Sequence, residues 1–194
     1  MNILKEIKIS VILTLVLLVI CCGIYPLVVF GVGQLLFPKQ ANGSLVFDGS
    51  GKPIASTLLG QTFSADKYFN PRPSAAGTGY DSTSSGGSNY GATSQALHDA
   101  VQLRVADYRK ANNLPDTQSV PADAVNASGS GLDPHISIKN ALFQLPRVAK
   151  ARNMSEDDLK KLVDLYTDGR GFGILGEPGV NIVKLNLALD GKFK

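Results

Sequence analysis

Hydrophobic and polar positions divide this chain sharply in two. From Ile9 to Phe37 there is no charged residue, and nine of the ten residues from Val11 to Ile20 are Val, Ile or Leu. A helix rises ~1.5 Å per residue, so residues 11–30 span ~30 Å, the hydrocarbon thickness of a bilayer. At a helix centre those nine side chains favour insertion by about 3–5 kcal/mol. A cleaved signal peptide needs a shorter apolar core and a small-residue exit site, and neither is present. A lipoprotein signal wants a small residue before its cysteine, where Ile20 precedes Cys21. The run is therefore expected to be a retained transmembrane helix over 9–36. Lys5 and Lys8 flank its start, against Lys39 alone at the other end, so the N-terminus (1–8) is expected in the cytoplasm and the domain 37–194 outside. Pro26 removes one backbone bond and should kink the helix near Cys22. Gly23, Gly31 and Gly33 suit close approach of a neighbouring helix.

Beyond Phe37 the pattern predicts a single α+β domain. Ser44–Phe47 and Ile54–Leu59 flank the turn-prone Asp48-Gly-Ser-Gly51 and predict a hairpin. Two prolines keep Tyr68–Ala75 out of a regular helix. Residues 77–91 form a long Gly/Ser/Thr/Asn loop. Leu97, Val101, Val105 and Tyr108 fall at helical spacing and are expected to form the buried stripe of a helix over 93–112, and a second helical pattern over 138–153 is expected to be interrupted at Pro146. Ser155 reads as the N-cap of a further helix, stapled by Met154 and Leu159, with Gly169 at its C′ position. Val180–Leu185 reads as a strand, with Asn186–Asp190 a short final turn.

The 194 residues carry a formal charge of +3 and no basic stripe with interleaved aromatics, which argues against nucleic acid. Both cysteines, Cys21 and Cys22, lie in the apolar run, so the domain has no disulfide and no thiolate metal site. A cysteine-free domain of about 155 residues can still bury a sufficient core.

No zincin, nucleophile-elbow or P-loop motif is present. His98 falls on a predicted helix beside its apolar stripe and reads as an ordinary helix residue. Asp133-Pro-His135 admits two readings: half of an acid/base pair, or a turn cap with a histidine satisfying the backbone. Ser84-Ser-Gly-Gly-Ser-Asn89 and Ser128-Gly-Ser-Gly131 are candidate anion loops, because glycines let backbone amides converge on an oxyanion; loop geometry or a contact surface is the alternative. Arg72, Arg147 and Arg152 suit carboxylate partners in a core or at an interface.

These segments stand together in one order: Tyr68-Phe…Arg72-Pro-Ser-Ala75, Ser84–Asn89, Ala127-Ser-Gly-Ser-Gly-Leu-Asp-Pro-His-Ile-Ser137, Arg147-Val-Ala-x-Ala-Arg152 and Gly176-Glu-Pro-x-Val-Asn181…Leu185-Asn-Leu-Ala-Leu-Asp190. Behind a single N-terminal membrane helix, this closely resembles the C subunit of the bacterial Kdp potassium-transporting ATPases, over essentially the whole chain. Gly179 departs from the family pattern, which has Arg there.

The resemblance implies a non-catalytic accessory subunit in the inner membrane. Its partners would be a channel-like, potassium-selecting A subunit, a P-type ATPase B subunit and a small F subunit, together with the lipid bilayer. No catalytic residue, firmly bound cofactor or metal is expected. The implied role is assembly, and action as a catalytic chaperone that raises the B subunit's affinity for ATP. ATP binding by this chain is possible by resemblance, with Ser85, Gly86, Gly87, Ser88 and Asn89 as the nucleotide or contact loop. Gly23, Pro26, Arg72, Ser130, Asp133, His135 and Arg147 are the candidate partner contacts.

Overall fold

A computed structural model describes residues 3–193, which form two compact units divided between Leu45 and Val46. The first is built on a helix running from Ile3 to Leu36, 34 residues long and apolar enough to cross a membrane. It comprises α1 (Ile3–Leu18), a π-helical stretch (Val19–Ile24) and α2 (Tyr25–Leu36), none with a buried residue. Pro26 cannot donate to the carbonyl four residues back, and the π stretch covers that position. The break expected near Cys22 is thus a local widening of the helix, a recognised cause of kinks. A four-residue helix α3 (Pro38–Ala41) follows, with a reciprocal amide pair between Gln34 and Asn42 at 3.2 and 3.3 Å.

In the second unit, strands β1 (Leu45–Phe47) and β2 (Pro53–Ser56) form the expected hairpin. Asp48 closes its turn by accepting from the backbone amides of Ser50 (2.9 Å) and Lys52 (3.0 Å). A segment without helix or strand then runs to α4 (Gln95–Ala111), and α5 (Ala122–Val125) follows. Strand β3 (His135–Ser137) leads into α6 (Ile138–Arg152), then α7 (Glu156–Leu165), β4 (Thr167–Asp168), β5 (Gly179–Asn181) and α8 (Ile182–Leu189). β3, β5 and β4 make an antiparallel sheet in that order. Its register pairs His135 with Asn181 and Ser137 with Gly179 on one side, and Asp168 with Gly179 on the other.

The core lies between this sheet and α6–α8. Ala141, Leu145, Val148 and Ala149 share one face of α6, Leu159 and Val163 one face of α7, and all are buried with Phe69, Ile136, Val180, Ile182 and Leu185. A second cluster joins the hairpin (Val46, Ala55) to Val183 and Leu187 of α8.

Three local expectations are corrected. The helix through Pro146 is continuous from Ile138 to Arg152; Leu142 and Pro146 lie on its exposed side, where the carbonyl freed by the missing N–H can meet water. The C-terminal segment is a three-residue strand followed by two turns of helix. Asn181 ends the strand and caps α8, its Oδ1 accepting from the Lys184 amide at 3.1 Å. Gly169 is not the C′ residue of α7, which ends at Leu165 with Tyr166 as its C-cap, because Thr167 and Asp168 leave the helix to pair with β5. The Ser155 cap is as expected: its Oγ accepts from the Asp158 amide at 3.1 Å.

Candidate functional site

Residues 57–94 carry no helix or strand, yet Phe69 and Ala76 are fully buried. Buried backbone groups need partners, and here side-chain amides from the helices provide them. Asn186 of α8 accepts from the Phe69 amide and donates to its carbonyl, both at 2.9 Å. Gln144 of α6 does the same for Asn70, at 2.6 and 3.2 Å. This pairing fixes the path of the chain into Arg72 and the glycine-rich loop.

That loop meets the second one directly. The Gly86 amide and the Ser85 hydroxyl both donate to the Ser130 carbonyl, at 2.9 Å each. Ser74 Oγ donates to the Gly131 carbonyl at 2.7 Å and accepts from the Tyr80 amide at 2.8 Å. Gly131 has φ +69°, and a Cβ there would stand 2.7 Å from both the Gly86 carbonyl oxygen and Ala76 Cβ. A Cβ on Gly87 would lie 3.1 Å from the Gly129 carbonyl oxygen. The glycines in these two loops therefore let backbone lie against backbone. Ser88 and Asn89 sit at the rim, half-buried and exposed respectively.

Beside the interlocked loops runs a chain of charges from four segments. Arg72 Nη1 lies 2.9 Å from Asp133 Oδ2. Asp133 Oδ1 accepts from the His135 amide at 3.0 Å and faces His135 Nδ1 at 3.4 Å. His135 Nε2 lies 2.8 Å from Asp168 Oδ2, and Lys184 Nζ contacts both Asp168 oxygens at 3.0 and 3.2 Å. Burial alone would raise the Asp133 carboxyl, but hydrogen bonds from His135 and Arg72 hold it below the ordinary range. Asp168 is likewise held low by His135 and Lys184 against its own burial. The Asp133 hydrogen bond raises the His135 imidazole most; burial opposes this, and Asp168 adds to it. The Tyr80 hydroxyl donates to the Arg72 carbonyl at 2.6 Å, and burial pushes its ionisation up.

The structure thus brings Arg72, Ser130, Asp133, His135 and Ser85–Gly87 into one region. Sequence reasoning missed Asp168 and Lys184, which complete the charge chain and carry no local motif. Arg147 belongs to a separate web on α6, donating to the Asp66 carbonyl (2.6 Å), Asn112 Oδ1 (3.0 Å), Gln144 Oε1 (2.9 Å) and Asn70 Oδ1. It lines a cleft of about 820 Å³ between α6 and the end of α4, with Leu114, Leu142 and Lys150 also on its walls. Arg152 pairs with Asp190 at 2.8 Å. His98 is exposed on α4, 3.3 Å from the Gln102 amide nitrogen. Gly23 and Pro26 belong to the N-terminal unit. Among the described residues, no group of three or more His, Cys, Asp or Glu could hold a metal ion.

One long apolar helix ahead of a small α/β domain defines a membrane-anchored protein. Residues 7–191 match the family model described as K+-transporting ATPase, c chain. The chain is 56% identical over 176 residues to the potassium-transporting ATPase KdpC subunit of Mycobacterium tuberculosis, covering 91% of this chain and 93% of that one. It is 49% identical over 187 residues to the KdpC subunit of Geobacter sulfurreducens, covering 96% and 97%. To that of Rhodopseudomonas palustris it is 50% identical over 199 residues, with the same coverage. The chain belongs to the KdpC family: it is a non-catalytic, membrane-anchored subunit of a Kdp potassium-transporting ATPase complex.

Proposed function

We propose that this subunit is held in the bacterial inner membrane with its N-terminus in the cytoplasm, and that its domain braces the complex from outside. In this reading the domain contacts the channel-like A subunit near the potassium entrance. It holds the A, B and F subunits in assembly and raises the ATP affinity of the B subunit from a distance. Such coupling requires contacts that differ between two states of the pump. The observation that carries the reading is the apolar helix Ile3–Leu36, without a buried residue. With Lys5 and Lys8 at its start, it favours an outside domain. An outside domain cannot touch cytoplasmic ATP. The amide of Gly86 and the hydroxyl of Ser85 are already engaged by the Ser130 carbonyl, which favours a contact loop over the alternative, a shared nucleotide site at Ser85–Asn89.

Side-of-membrane labelling tests this. With Cys21 and Cys22 replaced by Ser, the Ser88→Cys variant is exposed in intact cells to a membrane-impermeant thiol reagent. Labelling is expected. Protection until lysis, alongside a cytoplasmic control that behaves the same way, would place the domain inside and restore the nucleotide reading. Adding this subunit to a preparation of the A, B and F subunits that lacks it should lower the ATP needed for half-saturation; an unchanged value would remove the chaperone role.

A further inference from the structure

His135 stands on an outer strand of the sheet and reaches Asp168 on the opposite outer strand, across the central strand at Gly179. That glycine leaves room for the crossing. A Cβ at Gly179 would lie 3.2 Å from His135 Cβ and 3.5 Å from its Cγ and Cδ2, so the imidazole rests over bare backbone. Asp168 is the last residue before an arm, residues 169–178, that returns to β5. The arm is held by paired bonds between Gly171 and Leu175, at 2.8 and 2.9 Å. Arg170 reaches both oxygens of Glu177, each at 2.9 Å. Its tip is apolar and open, with Phe172 96% and Ile174 76% exposed.

The imidazole faces a carboxylate at each nitrogen: Asp133 Oδ1 at Nδ1 (3.4 Å) and Asp168 Oδ2 at Nε2 (2.8 Å). A neutral imidazole has one N–H and can donate to only one of them; the imidazolium donates to both. A third group waits at the same nitrogen. The Asn181 amide nitrogen of β5, which donates to the Thr57 carbonyl at 2.9 Å, lies 3.5 Å from His135 Nε2. An unprotonated Nε2 can accept from that amide and can give nothing to Asp168. The other charged groups nearby act through the carboxylates: Arg72 on Asp133, and Lys184 of α8 on Asp168.

We propose that His135 is a proton-operated clamp on the 169–178 arm. Protonated, it ties Asp133 to Asp168 across Gly179; deprotonated with its hydrogen on Nδ1, it keeps Asp133, turns Nε2 toward Asn181 and leaves Asp168 to Lys184 alone. The raised folded-state ionisation of His135 sets the sign. The stabilisation is fully present below the ordinary histidine value of about 6.5 and is lost as pH rises through the higher folded value. The arm, with its apolar tip, is therefore tight in mild acid and looser in mild alkali.

Hydrogen exchange of the full chain in detergent micelles tests this, with arm rates divided by the intrinsic chemical rates at each pH. Protection of residues 169–178 should be about two- to fivefold greater near pH 5.5 than near pH 8.5, the range expected for a partly exposed ion pair. His135→Gln should flatten that difference while leaving protection of α6 and α7 unchanged. An equal pH response in the His135→Gln variant, or none in the wild type, overturns the proposal. Imidazole ¹⁵N shifts of the wild-type chain give a second reading independent of any variant: a His135 midpoint at or below about 6.5 overturns it as well.

Discussion

Removing the Arg147 guanidinium tests whether the α6 web holds the irregular 57–94 segment in place. The side chain binds four neutral oxygens, from Asp66, Asn70, Asn112 and Gln144. Among the described residues no ion pair engages it, and burial pushes its ionisation below the ordinary range. Hydrogen bonds to a charged group contribute about 1.5–3 kcal/mol each, and a buried acceptor left unpaired costs about 1–3 kcal/mol. These do not simply add in Arg147→Ala. Asp66 and Asn112 line the same cleft as Arg147 and can take water in its place. Gln144, 1% exposed, cannot, but it keeps the Asn70 amide at 2.6 Å. The guanidinium's own desolvation is also relieved. A net loss of about 2–4 kcal/mol follows, which in a chain of this size lowers Tm by roughly 5–15 °C. Near-ultraviolet circular dichroism of the full chain in micelles is the suitable assay, because five of the six tyrosines, all but Tyr25, lie in the domain and report its packing. Arg147→Lys should fall between the two, since a point cation cannot serve four divergent acceptors. A Tm within about 1 °C of wild type for Arg147→Ala would refute the reasoning, as would a lysine variant equal to wild type.

Two further outcomes follow. Gly131→Ala should destabilise the domain by about 2–5 kcal/mol, adding left-handed strain to contacts with Ala76 and the Gly86 carbonyl; a melting temperature equal to wild type would show that the two loops yield freely. Asp190 is held low by Arg152 and Tyr68 against its burial, so its stabilisation is present above the ordinary carboxylate range and lost as pH falls through the lowered value. Denaturant midpoints should fall from neutral pH toward about pH 3, and fall less in Asp190→Asn.

The parts of the fold legible in the sequence were those with a local physical signature. The apolar run, the Asp48-Gly-Ser-Gly51 turn, the α4 helix and the Ser155 cap each depend on residues within a turn or two of one another, although the stripe expected to be buried on α4 is only half-buried. The misreadings occurred where tertiary contacts override local pattern. Val180, Ile182, Val183, Leu185 and Leu187 are all buried, so the segment shows neither alternation nor a polar helical face. Periodicity cannot separate strand from helix in such a run. Asn181 was the available signal, as a good N-cap set inside apolar residues. Pro146 suggests a break, but on the exposed side of a helix its missing donor is tolerated.

The candidate site was harder to read because its members are distant in sequence and ordinary in type. Arg72 and Asp133 are 61 residues apart, His135 and Asp168 33, and no spacing rule joins them. The Gly/Ser loops suggested converging amides, yet the same composition serves two backbones lying against each other, as Gly86 and Ser130 do. Asn140, Gln144, Asn181 and Asn186 read as polar helix or strand positions but are almost fully buried. Asn186 and Gln144 satisfy the backbone of Phe69 and Asn70, where a sheet neighbour would otherwise be needed. This explains how a long segment with no regular structure can carry Arg72 at a fixed place beside Asp133. Replacing Asn186 with Leu keeps the bulk and deletes both bonds, so the arginine, and with it the Asp133 end of the charge chain, would lose its anchor before the helical core did.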